Sequence, residues 1–270
     1  MAPPSIHDVN FGTMTFSAPF VNRNGGHSAF PNSGPAIERG KVEFQLTAER
    51  APFGVNRTDP NGNPVEKRYN LALAVEDENN RVGLEEFDAR VVKYFHENAK
   101  TYWPKKKNLT LEDVQRMYRP VLAPSSDPDK YSPLMRLKIH KDPDNPNGNT
   151  KIFVVTKNAK GEDTYNDAGS LDDISRNSQV TVVVRATCAW MLGGGIQFGV
   201  TLKVLHALVY PSQADEEEFP FTMPEGTARP QKRKFLPAGA AEEVVDEAEV
   251  DHNVFAGLVS PAKRQKVAAH

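Results

Sequence analysis

Cysteine is nearly absent from this sequence. Cys188 is the only one in 270 residues, which excludes an intrachain disulfide and a zinc site built from several cysteines. Long apolar runs are missing too, since no stretch approaches the roughly 18 residues that a membrane-spanning helix needs. The first residues, MAPPSIHDVNFG, have neither the basic region nor the apolar segment of a secretory signal. These absences predict a soluble protein of a reducing, intracellular compartment.

Motifs for catalysis, metals and cofactors are lacking as well. The glycines at 193–195 precede an alternating strand pattern, whereas a phosphate-binding loop needs a helix there, so they predict a hairpin turn. The segment 142–148, DPDNPNG, lacks the ligand spacing of a calcium loop and also predicts a turn. The histidines are scattered, His206 is expected in the core, and Cys188 is expected to be buried and unreactive. We therefore expect no enzyme, no cofactor and no metal.

Charge is divided unevenly along the chain. The net charge is −2, from 33 Lys and Arg against 35 Asp and Glu. Residues 1–212 hold 26 basic against 24 acidic residues, whereas residues 213–270 hold 7 against 11, and the two parts sum to the totals of the chain. Such asymmetry suggests a nucleic-acid or membrane partner for one part and a docking role for the other.

Alternation of apolar and polar residues predicts most of the secondary structure. Strands are expected at 41–47, 69–75, 135–139, 151–156, 179–191 and 196–210. The first two should pair through a long loop, and 135–139 should form a hairpin with 151–156 that has a basic outer face. Between the second and third strands, over 84–119, the period becomes helical, and Thr110 with Asp113 has capping-box spacing. This order predicts a mainly β fold, an antiparallel barrel of five to seven strands with a helical insertion.

The domain organisation follows from these patterns. Residues 1–37 are rich in Asn, Gly, Pro and Ser and predict an N-terminal arm. Residues 38–212 form the expected barrel domain. Residues 213–270 bury too little apolar surface to offset chain entropy, so we expect a disordered acidic tail.

Basic and aromatic residues on the outer faces of the predicted strands are candidates for binding single-stranded nucleic acid. Cations follow the phosphates of a single strand while aromatic rings stack on its bases. The candidate residues are Arg39, Lys41, Lys67, Arg68, Tyr69, Arg136, Lys138, Lys151, Phe153, Arg185, Trp190 and Lys203, together with Trp103, Lys105, Lys106 and Lys107 in the stretch TYWPKKK. Two alternatives stay open, because solvated cations on strand exteriors are ordinary and Phe153, Trp190 or Trp103 can equally belong to the core.

The tail carries short charged clusters. Lys232, Arg233 and Lys234, and then Lys263, Arg264 and Lys266, are basic runs of the kind that a nuclear-import receptor recognises. Between them lies an acidic segment with an aromatic residue, formed by Glu242, Glu243, Asp246, Glu247, Glu249, Asp251 and Phe255. The clusters predict a nuclear protein, and the acidic segment predicts either docking on a basic partner or competition with DNA.

The body resembles the podovirus-type single-stranded DNA-binding proteins, as found in large nucleocytoplasmic DNA viruses. The resemblance rests on RGKVEFQL followed by PFGVN, YNLALAV, TYWPKKK, YRPVLAP, SPLMRLKI and IQFGVTLKVLHALVYP, over residues 38–211. It implies an OB-fold barrel with an inserted helix and binding to single strands without sequence preference. It also implies replication proteins as partners of the acidic tail. The acidic segment here is internal and the chain ends in a basic cluster, so the family's tail docking and homodimer are left open.

These patterns together predict a nuclear protein, of the host nucleus if viral, that binds single-stranded DNA in replication, recombination or repair. Two other classes compete with this interpretation. One is a histone or chromatin chaperone that acts through the acidic tail and binds core histones. The other is a hydrolase or transferase on the same barrel, which requires a concave pocket with strongly perturbed carboxylates.

Overall fold

The computed structural model describes residues 3–22, 25–33, 42–59, 61–157, 160, 162–192 and 196–210. All of them belong to the unit Met1–Glu218. The predicted disordered tail, 213–270, lies outside the described residues, as does the glycine turn at 193–195.

The elements follow the predicted order, with additional short strands near the N-terminus. The strands are β1 Met14–Phe16, β2 Phe20–Val21, β3 His27–Ala29, β4 Pro31–Ser33, β5 Glu43–Ala51, β6 Val55–Asn56, β7 Arg68–Ala74, β8 Tyr118–Arg119, β9 Leu122–Ala123, β10 Leu134–His140, β11 Lys151–Lys157, β12 Asp163–Asn166, β13 Ser178–Met191 and β14 Phe198–Tyr210. The helices are α1 Glu78–Glu97, α2 Ala99–Tyr102 and α3 Leu111–Met117. In the described residues, no helix has the length and apolar character that crossing a membrane requires.

Five strands close into a ring. Around it the order is β5, β7, β10, β14 and β13, and β13 pairs with β5 again. All of these pairings are antiparallel except that of β10 with β14, where Lys138 lies opposite Lys203. A five-stranded ring in which the third strand is parallel to the fifth has the topology of the OB fold. The expectation of a mainly β, OB-fold-like barrel with an inserted helical segment is confirmed.

The helical insertion lies between β7 and β10 and begins earlier than the apolar period suggested. Asp77 is the N-cap of α1, and its side chain accepts a hydrogen bond from the backbone N–H of Asn80. The helix therefore starts at Glu78 rather than at Leu84, because a capping residue and not an apolar one determines where it begins. The predicted capping box at Thr110 and Asp113 is present at the start of α3.

The apolar side chains of each ring strand, which occupy every second position, point into the interior of the ring. Leu71 and Leu73 of β7, Leu137 of β10 and Val182 of β13 are almost fully buried. Because the side chains of a strand alternate between faces, the charged residues between them lie outside. Burial of the apolar face thus forces the basic side chains to the outer surface.

His206 does not share the core face of β14, contrary to expectation. In the antiparallel register Val183 pairs with His206 but Val184 pairs with Val204, so Leu205 is an extra residue in β14. Such a bulge reverses the alternation beyond it. Ala207 and Val209 are buried as a result, and His206 is exposed.

The predicted hairpin between 135–139 and 151–156 is wrong. β10 and β11 each pair in parallel with β14 instead of pairing with each other. Thr150 lies between them and its hydroxyl donates to the backbone oxygen of Val204 at 2.7 Å. The turn-forming residues at 142–149 indicated that the chain reverses direction there. Instead, the chain continues in the same direction, and β11 pairs with a later part of β14 than β10 does.

The N-terminal segment, predicted as an arm, contributes to the core. Ile6, Phe11 and Phe16 are 1%, 4% and 5% exposed. The ring of Phe11 makes edge contacts with Phe44 of β5 and Phe87 of α1 at centroid distances of 5.8 and 5.3 Å. The segment therefore fills the space between barrel and helix. Its aromatic residues have no regular period, so the sequence pattern did not indicate this packing.

A buried carboxylate joins the helix to the barrel. Glu49 of β5 is fully buried, and its oxygens accept hydrogen bonds from the backbone N–H of Glu76 at 2.7 Å and from Asn80 Nδ2 at 2.7 Å. The backbone N–H of Asp77 donates to the same carboxylate at 3.3 Å. Burial raises the pKa of Glu49, and these hydrogen bonds oppose that rise.

The substitution Glu49→Ala is expected to lower the free energy of unfolding by about 3 kcal/mol, because it leaves buried donors without an acceptor. Urea denaturation measures this change. The control Glu86→Ala removes an exposed carboxylate of α1 and is expected to change stability by less than about 0.5 kcal/mol. Equal effects of the two substitutions would contradict the assigned role of Glu49.

Candidate nucleic-acid interface

The outer face of the closed ring brings polar residues of three strands together. Lys138 of β10 lies opposite Asn70 of β7 and opposite Lys203 of β14. Its ammonium donates to Asn70 Oδ1 at 2.5 Å. Arg136 lies two residues before it, on the same face, and is exposed. The ring closure thus produces a basic stripe that no single strand contains.

An open groove runs along this face and has a volume of about 740 Å³. One side is formed by the segment after β5, with Phe53 and Arg57, and the floor by β7, β10 and β14. Trp190 of β13 also lines the groove, beside Arg136 and Lys138. The groove therefore contains aromatic faces and cations together.

Trp190 lies against the backbone of β14. A Cβ atom on Gly199, its register partner, would be 2.6 Å from Trp190 Cζ2 and 3.2 Å from the backbone oxygen of Arg119. Only glycine leaves room for the indole at this position. The indole is half-buried, so it retains a face toward the groove.

Phe53 and Arg57 were not among the predicted site residues. Phe53 is 68% exposed, and Arg57 forms an ion pair with Asp172. The tight turn Ala51–Gly54 holds the phenyl ring outward: Gly54 N–H donates to the backbone oxygen of Ala51, and Gly54 has a positive φ of 65°. The signal in the sequence was an aromatic residue inside a turn, PFG, where burial is not expected.

A smaller recess of about 220 Å³ continues the groove at one end. Its lining includes Lys67, Arg68, His140 and Lys203, and Arg68 and His140 are register partners on the same outer face as Lys138. Lys203 Nζ donates to the backbone oxygen of Gly148 at 2.6 Å. Arg68 and His140 are each two residues along their strands from Asn70 and Lys138, which line the groove, so the recess lies next to the groove.

Burial is the first cause of the lowered pKa values on this surface, and neighbouring cations lower them further. Burial, followed by Lys203, Arg68 and Lys138, lowers the pKa of His140 to about 4. Burial, followed by Arg185 and Arg68, lowers the pKa of Lys203. Burial, Lys151 and Arg185 lower the pKa of His206, whereas the nearby carboxylate of Glu43 raises it. A surface that disfavours further positive charge favours an anion.

Several predicted site residues meet on this surface. Lys67, Arg68, Arg136, Lys138, Trp190 and Lys203 line the groove or the recess. Arg185 lies opposite Lys203 but is paired with Glu43, with Nε at 2.6 Å from the carboxylate. Lys151 lies opposite His206 farther along β14, where the ring centroid of Phe153 is 6.1 Å from that of His206.

Other predicted residues lie elsewhere. Tyr69 is in phase with the inner residues Leu71 and Leu73, and its hydroxyl donates to the backbone oxygen of Glu66. Trp103 is 5% exposed and packs on Phe95 and Phe198, so the core alternative holds for it.

The basic stretch after Trp103 is not in the described lining of the groove. Lys105 and Lys107 are exposed, while Lys106 contacts Met117 Sδ of α3. Arg39, Lys41 and all the predicted import and docking residues of the tail lie outside the described residues.

A larger concave surface of about 1320 Å³ lies on the helical side, between α1, α3 and the segment 120–133. Asp88 lines it, and burial raises the pKa of this carboxyl to about 6. Its oxygens accept hydrogen bonds from the Tyr118 hydroxyl and from the backbone N–H groups of Val121 and Leu122. This bonding gives Asp88 an anchoring role. The described residues contain no cluster of His, Cys, Asp and Glu that could hold a metal ion.

Comparison with known proteins adds structural neighbours at low similarity. Neither a family model nor a curated sequence matches the chain. A single-stranded DNA-binding protein from bacteriophage Enc34, truncated at its C-terminus, has a TM-score of 0.37 and 11% identity, covering 73% of this chain and 96% of its own. The single-stranded DNA-binding protein gp2.5 of bacteriophage T7 has a TM-score of 0.39 and 12% identity, covering 68% and 100%. The Enc34 protein in complex with single-stranded DNA has a TM-score of 0.35 and 13% identity, covering 73% and 96%.

The substitution Gly199→Ala is expected to displace the indole of Trp190 and to lower the free energy of unfolding by about 1–3 kcal/mol, because a methyl group overpacks the contact. Urea denaturation measures the change. The same substitution in a Trp190→Leu background is expected to cost less, since the ring that it meets is gone. An equal cost in both backgrounds would show that the indole does not rest on Gly199.

Proposed function

We propose that this chain binds single-stranded DNA in the groove between Phe53, Trp190 and the basic stripe on β10. The observation that carries the proposal is that two aromatic residues from distant parts of the sequence share one open groove with Arg136 and Lys138. Neither Arg136 nor Trp190 makes a side-chain hydrogen bond or ion pair with the described residues, so both are available to a ligand.

The chemistry of the groove favours an unpaired strand over a duplex. Aromatic rings bind bases by their faces, and the faces of bases are accessible only when the strand is unstacked. Cations at intervals along the groove follow the phosphates. Stacking tolerates all bases, so binding largely without sequence preference is expected.

A salt titration tests the groove. The double substitution Arg136→Ala and Lys138→Ala is expected to weaken binding of a fluorescent oligothymidylate, measured by anisotropy. It is also expected to reduce the slope of log K against log salt by about 1.4, since each phosphate contact on a single strand contributes about 0.7. The matched control, Lys93→Ala with Lys100→Ala, removes two exposed cations from the helical side and should leave the slope unchanged.

The same assay separates stacking from charge. Trp190→Ala is expected to weaken binding by about 1–3 kcal/mol without changing the salt slope, and Trp190→Phe is expected to retain most of the affinity. If the groove and control double variants bind alike, or if duplex and single strand compete equally, the proposed function is wrong.

For the cellular role we propose protection of unwound DNA during replication, recombination or repair in a nucleus. The support is the pair of basic clusters, 232–234 and 263–266, in the sequence of the tail. Docking of replication proteins on the acidic segment 242–251 belongs to the same proposal and rests on its charge.

Residues 213–270 fused to a fluorescent protein too large to diffuse through nuclear pores are expected to accumulate in the nucleus of a eukaryotic cell. Microscopy measures the ratio of nuclear to cytoplasmic fluorescence. Replacing the basic residues of both clusters with alanine should abolish the accumulation, and replacing the acidic residues of 242–251 should not. A cytoplasmic fusion with intact clusters would exclude import through this tail.

A further inference from the structure

The recess at the end of the groove has donors for a phosphate group, and most of these donors have no hydrogen-bond acceptor among the residues that the structure describes. The side chains of Arg68 and His140 make no hydrogen bond or ion pair with any residue that the structure describes. Lys203 directs one N–H to the backbone oxygen of Gly148 and has two more protons to donate. These three groups come from β7, β10 and β14 and line one recess.

Two carboxylates lie at the recess, Asp142 in its lining and Asp144 beside it, and both bind the same cation, Lys67. Lys67 is bound by Asp142 at 3.1 Å and by Asp144 at 2.5 Å. Arg68 and Lys203 have no such partner among the described residues, and the coulombic effect of Arg68 reaches both His140 and Lys203. The recess is therefore positively charged even when His140 is neutral.

His140 is surrounded by charged groups from every element packed against it. Lys67 immediately precedes β7 and Arg68 is its first residue. Lys138 lies on the same strand as His140, Lys203 on β14, and Asp142 in the turn that follows β10. Burial and the three cations Lys203, Arg68 and Lys138 lower the pKa of its imidazole to about 4, and Asp142 opposes them. At neutral pH the imidazole of the free protein is therefore uncharged.

We propose that this recess holds one backbone phosphate of the bound single strand, and that His140 takes up a proton from solvent when the phosphate enters. This inference rests on the proposed function and specifies one subsite of it.

The direction of the linkage follows from the charges. Burial is the first cause of the low pKa of His140, and the cations are the next. A phosphate placed between Arg68, Lys203 and His140 offsets these cations and accepts a hydrogen bond from the imidazolium. The pKa of His140 then rises in the complex above its value of about 4 in the free protein. Between these two values the complex holds one more proton than the free protein, so affinity increases as pH falls.

The test is the pH dependence of oligothymidylate binding by the full chain. Thymine does not titrate between pH 5.5 and 7.5, so a change in affinity reports on the protein. At constant ionic strength and without phosphate buffer, binding is expected to tighten about three- to tenfold from pH 7.5 to pH 6. Calorimetry in buffers of different ionisation enthalpy should show proton uptake.

The variant His140→Gln keeps a neutral polar side chain and is expected to lose this proton uptake and most of the pH dependence. The control His96→Gln changes a histidine of α1 outside the groove and the recess and is expected to retain both. Histidine labelled with ¹³C gives the pKa of His140 by NMR, with the oligonucleotide and with inorganic phosphate alone. A rise with the oligonucleotide supports a backbone phosphate in the recess.

Two results overturn the proposal. One is a pKa of His140 that rises with inorganic phosphate but not with the oligonucleotide. The other is equal pH dependence in His140→Gln and the unmodified chain. In both cases the chain still binds the oligonucleotide, so the proposed function stands. If the unmodified chain does not bind it at any pH, the proposed function itself fails.

Discussion

The parallel pairing of β10 with β14 is the constraint on which the candidate interface depends. It closes the ring and places Lys138 opposite Lys203, although 64 residues separate them in the sequence. Without this pairing the two strands would be separate edges and their charges would not meet. Closure also removes exposed edges that would otherwise pair with other chains.

Closure has an electrostatic cost that the fold retains. Cations from β7, β10 and β14 are neighbours on the outer face, and burial followed by these cations lowers the pKa values of His140 and Lys203. Concentrating like charges destabilises a folded protein unless a ligand of opposite charge is present. The same arrangement gives a groove with a positive potential, which suits a polyanion.

Among the described residues, the lining of the groove includes no residue of the inserted helices. Glu49 binds the start of α1, and Phe11 fills the space between helix and barrel. The bulge at Leu205 turns His206 to the outer surface of β14, where it lies opposite Lys151. The anchoring interactions are buried and polar or aromatic, so they fix positions that apolar burial alone would leave variable.

The sequence by itself determined the mainly β class, the positions of the main strands along the chain, the helical insertion and the capping box at Thr110, because periodicity and capping are local properties. It also predicted outward-facing basic residues on the strands, among them Arg136 and Lys138, which are exposed. Only the tertiary structure decided which of them are neighbours, that Trp103 is core while Trp190 lines a groove, and that Phe53 belongs beside it. These features depend on strand register, on a bulge and on the parallel pairing that closes the ring. The periodicity of a strand's sequence does not show which distant strand it pairs with.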